Sequence, residues 1–185
     1  MKTREKILDL AIELTQKHGD LGWSYEDISE KIGIRKASIH YHFPKKEQLI
    51  LEATRLYIIR ATKKIEESLI EKKNVKEKLI SFSDCYRSVF CQKDKLCLCI
   101  AISQNYSAKD SALLKLVEDF FQHIHHLLYV LLSEGQTSEE VNKKIKPKNM
   151  ATMILALFQG LLILGENGWK EKDFEETLEQ LLNII

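Results

Sequence analysis

The chain has 185 residues and a formal net charge of +1. A composition that is 44% hydrophobic and 30% charged excludes a disordered chain, and the near-neutral balance excludes polyanion binding through the overall field, leaving only a local basic patch. Seven glycines and two prolines are too few for a turn-rich β architecture and point to an all-α chain of long helices.

Taken in order, Ile7, Leu8, Ala11, Ile12 and Leu14 recur at helical spacing and form one face of a first helix that Gly19 ends. The opening residues, MKTREKILDL, lack a long apolar core and a small-residue cleavage site, so no secretory signal is expected. Ser24 reads as the N-cap of a short second helix, with Asp27 at near-capping-box spacing and Gly33 as its stop. A third short helix is expected over about 36–42. Pro44 then suits the first turn of a fourth helix that runs through Leu49, Ala53 and Leu56 towards Leu69.

Residues 71–74, EKKN, predict a break, with helices beyond it over about 75–91, 96–106 and 110–133. Gly135, Thr137 and Ser138 mark a connection, and Thr137 with Glu140 resembles the capping box of a further short helix. Pro147 opens an apolar helix to about Leu164, and a last helix over about 172–182 carries Phe174, Leu178, Leu181 and Leu182 on one face. The apolar stretch 150–165 is interrupted by Gln159 and falls short of the ~20 residues a membrane span needs, so it reads as a buried helix and no membrane association is expected. It is apolar nearly all round. Its face near Ala151, Leu155, Gln159 and Leu162 is expected to meet the last helix and a partner subunit.

The strongest chemical signal lies in residues 31–46. They contain no acidic residue but hold Lys31, Arg35, Lys36, Lys45 and Lys46. Ile28, Ile32, Gly33, Ile34 and Ile39 have the spacing of a helix-turn-helix, with Gly33 able to take the positive φ of the turn. That leaves Arg35, Lys36, Ser38, Tyr41 and His42 for the exposed side of the second helix of the pair, where basic and hydrogen-bonding groups suit a major groove. Pro44, Lys45 and Lys46 open the fourth helix, where free backbone N–H groups and the helix dipole favour a phosphate.

The stretch IGIRKASIHYHFPKKEQL resembles the signature of the TetR (tetracycline-repressor-like) family of transcriptional regulators, matching it at Gly33, Lys36, Ile39, His42, Phe43, Lys46, Glu47 and Leu49. REKILDLAIELTQKHG resembles that family's first helix, and KPKNMATMILALFQGLLIL its eighth. His40 stands where the family usually has Tyr, with Tyr41 adjacent; Ala37 replaces a usual Gly, and Ser29 a common Ala. The resemblance implies a homodimer. Each chain would carry an N-terminal three-helix helix-turn-helix DNA-binding domain over residues 1–47 and a C-terminal helical ligand-binding and dimerisation domain over 48–185. The DNA-contacting set would be Ser24, Tyr25, Arg35, Lys36, Ala37, Ser38, His40, Tyr41, His42 and Lys46. The implied function is a cytoplasmic, ligand-responsive regulator, a repressor released from a palindromic double-stranded operator by a small molecule.

Phe82, Tyr86, Phe120 and Phe158 lie on helices that resemble the family's pocket helices, and His123 and Gln159 could supply polar groups beside them. The six together are the expected site for a small apolar or aromatic ligand. Cys97 and Cys99, two apart on an expected helix, should point to different faces and read as small buried hydrophobes; a thiol switch involving them or Cys91 is the competing reading. His123 and His126 share a face but have no third metal ligand at suitable spacing, so no metal site is expected. There is no phosphate-cradling glycine loop, nucleophile motif or spaced ligand set, and neither an enzymatic activity nor a cofactor is expected. The alternative is a thiol- or metal-responsive helical sensor without operator binding, which the intact 31–46 stretch disfavours.

Overall fold

The computed structural model describes residues 3–92, 94–105 and 111–185. Regular structure among them is entirely helical: α1 (Thr3–His18), α2 (Tyr25–Ile32), α3 (Lys36–His42), α4 (Lys46–Ile70), α5 (Val75–Phe90), α6 (Leu98–Asn105), α7 (Ser111–Thr137), α8 (Pro147–Glu166) and α9 (Glu171–Ile184). They form two compact units. The first runs to Arg60 and resumes over Asp94–Glu118, and the second comprises Ala61–Lys93 and Asp119–Ile185. Helices α4 and α7 each pass unbroken from one unit into the other.

In the first unit α1 buries Ile7, Leu8, Leu10, Ala11, Ile12 and Leu14. This is wider than a single stripe, because α1 packs against both α2 and α6. The segment leading into α6 is tied to α1 by two hydrogen bonds. The Leu96 N–H donates to the Gln16 carbonyl at 3.2 Å, and Gln16 Nε2 donates to the Leu96 carbonyl at 2.9 Å. The unit that carries the basic stretch therefore extends beyond residue 47 to include the start of α4 and all of α6. The turn between α2 and α3 has Gly33 at φ 66°, its N–H bonded to the Ser29 carbonyl at 3.0 Å. Ser29, where an alanine is common in the resembling family, donates its hydroxyl to the Ile34 carbonyl at 2.6 Å and so stitches the turn.

In the second unit α5 packs on α8 and α9, and Leu79, Phe82, Phe158 and Phe174 are fully buried. Gly135 is not a connection. It lies within α7, and a Cβ there would sit 2.6 Å from methyl groups of both Val75 and Val141. No helix forms over 138–146, because the Glu140 carboxylate serves another element: it accepts the Val75 N–H at 2.7 Å, at the start of α5, and the Ser138 hydroxyl at 2.9 Å. Helix α8 spans 20 residues and turns Met150, Ala151, Ile154, Phe158, Gln159, Leu161 and Leu162 inward. Ala151, Gln159 and Leu162, expected at a partner-facing surface, are thus core residues. The aromatic side of α5 takes Phe158 and Gln159, and the same helical row carries Ala151 and Leu162 with them. The outward apolar side is instead Met153 (60% exposed), Ala156 and Ile163 (39% exposed).

The two glycines resist substitution for different reasons. Gly33→Ala meets no neighbouring atom and should cost about 1 kcal/mol, the left-handed backbone alone. Gly135→Ala forces a methyl into two valines and should cost more, about 1–3 kcal/mol. Urea unfolding of both variants checks the order.

Candidate nucleic-acid interface

The start of α2 is built first by local chemistry. Ser24 Oγ accepts the Glu26 N–H at 3.2 Å, and the Asp27 carboxylate accepts the Ser24 N–H at 2.6 Å and its hydroxyl at 2.9 Å. The backbone donor and then the hydroxyl hold the Asp27 carboxyl below its usual range. Buried Trp23 precedes the cap and buried Ile28 follows it at the spacing of a hydrophobic staple. The Trp23 Nε1–H donates to Thr15 Oγ1 at 3.0 Å, which fixes the entry to α2 against α1.

Tyr25 is buried on the other side of the cap. Its hydroxyl donates to the Phe43 carbonyl at 2.8 Å, pinning the end of α3, and its ring meets His40 edge-on at 4.8 Å. Burial, then the Glu47 charge, raises its phenol above the ordinary range. Along α3, Ile39 is fully buried and Phe43 is buried just after it. Lys36, Ala37, His40 and Tyr41 are exposed, with Tyr41 at 83%; Arg35, at the N-cap, is exposed too, and Ser38 and His42 are half-buried. The Lys36 ammonium pairs with the Glu26 carboxylate.

Lys46 turns back from the first turn of α4. Its Nζ donates to the Trp23 carbonyl and lies 4.2 Å from the centre of the Trp23 ring. Burial lowers its pKa, while Asp20, Asp27 and Glu47 oppose that shift. Ser24, Tyr25, Glu26, Lys36, His40, Pro44 and Lys46, with Trp23, line one cleft of about 320 Å³. Residues from three separate stretches thereby share one face. On that face the Lys36 ammonium meets Glu26, the Lys46 ammonium meets the Trp23 carbonyl and the Ser24 hydroxyl meets Asp27, while the exposed side chains of α3 stand beside them. Sequence reasoning missed Thr15, Trp23 and Glu26. A tryptophan placed directly before an N-cap and five residues ahead of an isoleucine was the available signal for Trp23.

The six expected ligand residues divide. Phe82 and Tyr86 have ring centres 5.1 Å apart, Tyr86 stacks on Phe158 at 5.2 Å, and Gln159 Nε2 donates to the Tyr86 hydroxyl at 3.3 Å. Gln159 Oε1 is buried and has no hydrogen-bond partner among the described residues. Phe120 is buried with its ring against Phe121, and His123 is exposed and bonded to Glu66 at 2.9 Å. His125 bonds Thr152 and the Lys148 carbonyl.

Residues 7–53 match the family model described as "Bacterial regulatory proteins, tetR family". The transcriptional regulator of the TetR family from Agrobacterium tumefaciens superposes with a TM-score of 0.91 at 22% identity, over 98% of this chain and 96% of that one. A TetR transcriptional regulator from Legionella pneumophila does so with a TM-score of 0.84 at 25% identity, over 99% and 96%. The HTH-type transcriptional repressor ComR of Escherichia coli is 24% identical over 98% of this chain and 84% of its own length.

The Lys36–Glu26 pair generates a test. Glu26→Gln removes the carboxylate that holds Lys36 and should tighten DNA binding about threefold at low salt, with the gain vanishing as salt is raised. Fluorescence anisotropy across a salt series reads it.

Proposed function

We infer that this chain, whose residues 7–53 match the tetR family of bacterial regulatory proteins, is a ligand-responsive repressor of that family that leaves a palindromic operator when a small molecule fills its second unit. The observation that carries the reading is the shared face made by the start of α2, the exposed side of α3 and Lys46. Lys46, released from the Trp23 carbonyl, grips a phosphate and sets the register, and Ser24 holds the start of α2 beside it. Arg35, Lys36, His40 and Tyr41 reach base edges, with Ala37 leaving room for the backbone to approach. Tyr25 acts from inside, by holding α3 in place through Phe43.

Two copies are required to read two half-sites. The outward side of α8, with Met153, Ala156 and Ile163, is the apolar surface that a second copy covers. The ligand belongs to the aromatic core of the second unit. Stacked rings favour a planar apolar body, and the unpaired Gln159 Oε1 asks for one hydrogen-bond donor on it. Binding shifts the population towards a state of lower operator affinity. Such a regulator works in the cytoplasm, where its DNA is.

Anisotropy with DNA from the region upstream of the protein's own gene tests this reading against random DNA of equal length. A saturable preference for the upstream DNA with two chains per site is expected. Met153→Glu with Ile163→Glu should give monomers by light scattering and should lose that preference. A stable monomer of the unmodified protein, or equal affinity for random DNA, overturns the reading.

A further inference from the structure

We propose that the imidazole of His40 takes up a proton as the reading face meets double-stranded DNA, so that pH tunes the affinity of this chain for DNA as an input separate from the ligand. This rests on the face made by the start of α2, α3 and Lys46 being the DNA surface.

His40 is exposed on α3 one turn after Lys36, at the spacing that puts both side chains on one row of the helix. Both line the cleft that also holds Glu26 and Lys46. The His40 ring lies edge-on to the Tyr25 ring, with 65° between the planes. Among the described residues its two nitrogens have no hydrogen bond or ion pair. The histidines of the second unit differ, since His123 is bonded to Glu66 and His125 to Thr152.

The charged and titratable groups around His40 come from three helices. The Tyr25 phenol and the Glu26 carboxylate come from α2, the Lys36 ammonium from α3, and the Lys46 ammonium from α4. Lys46 in turn lies in the field of Asp20, Asp27 and Glu47. Burial holds the Tyr25 phenol above its ordinary range, so it stays neutral. Of the side-chain types lining the cleft, imidazole is the one that changes charge near neutral pH.

In the free protein both cations are matched. Lys36 pairs with Glu26, and Lys46 donates to the Trp23 carbonyl. DNA upsets that balance. A phosphate draws Lys36 away and leaves the Glu26 carboxylate without its cation, in the cleft that His40 lines. The orphaned carboxylate and the polyanion both favour the charged form of an imidazole beside them. A solvent proton then settles on a free His40 nitrogen, and the new N–H donates to Glu26 in place of Lys36. The face gains a third cation without desolvating a lone carboxylate.

Linkage is reciprocal: DNA that favours the proton is itself favoured by the proton, by the same factor. The gain is complete below the pH at which the imidazole of the free protein titrates. It is lost as pH rises through the higher value of the complex.

The test uses the full-length protein and fluorescence anisotropy at constant ionic strength, with the upstream DNA and a random duplex of equal length. Between about pH 6 and pH 8.5, affinity for both should fall about fivefold, because the added cation acts through phosphates that every sequence carries. Calorimetry at about pH 7 in two buffers of different ionisation enthalpy should show uptake of about 0.4 of a proton per chain bound. His40→Gln should remove most of the pH dependence and of the uptake, and His42→Gln should keep both. Glu26→Gln should lessen the uptake even as it tightens binding, an opposition that a purely structural role of Glu26 does not produce. Binding that is flat in pH, or a pH dependence that His40→Gln leaves intact, overturns the proposal while the DNA-binding reading stands. Failure to bind either duplex at any pH overturns both.

Discussion

The seating of Trp23 is the constraint on which the face shared by α2, α3 and the start of α4 depends. Its indole N–H is fixed to Thr15 on α1, its ring carries the Lys46 ammonium, and its carbonyl accepts from the same ammonium. One residue on, Ser24 begins α2. Helices α1, α2 and α4 are thereby referred to a single side chain. A neutral hydrogen bond and a half-exposed cation–π contact each contribute only about 1 kcal/mol. Burial of the ring itself contributes more, about 2–3 kcal/mol. The polar contacts decide orientation; the packing decides that there is something to orient.

Charge on this surface is arranged to be displaced. A chain of net charge +1 cannot attract DNA from a distance with any strength, and within the reading head Lys36 is held by Glu26. An exposed pair of this kind is worth little in stability, so a phosphate can replace the carboxylate at small cost. Beside Arg35 and Lys36, the exposed side of α3 carries Ala37, His40 and Tyr41.

Much of this was legible in the sequence, for identifiable reasons. Helical period and caps are local, so α1 to α5, the Ser24–Asp27 box and the Gly33 turn could be read directly. What stayed hidden was long-range. Gly135 looks like a breaker until Val75 and Val141 are seen to need its missing side chain. Thr137 and Glu140 have capping-box spacing, but Glu140 is drawn to Val75, 65 residues earlier in the chain. The inward side of α8 could not be phased from an all-round apolar stretch, since only the α5 aromatics choose it. His123 read as a pocket residue because its partner, Glu66, sits on another helix. Helix α6 begins at Leu98, so Cys97 stands before it and not within the helix expected from about residue 96.

The return of α6 onto α1 also fixes an order in time. The chain makes its reading helices first, yet the far side of α1 is covered by a segment that begins some 80 residues after Gln16. During synthesis, the side of α1 that α6 covers has no partner until residues 96–105 have left the ribosome. A nascent or truncated chain that ends before α6 holds the full basic stretch but lacks the scaffold that orients it.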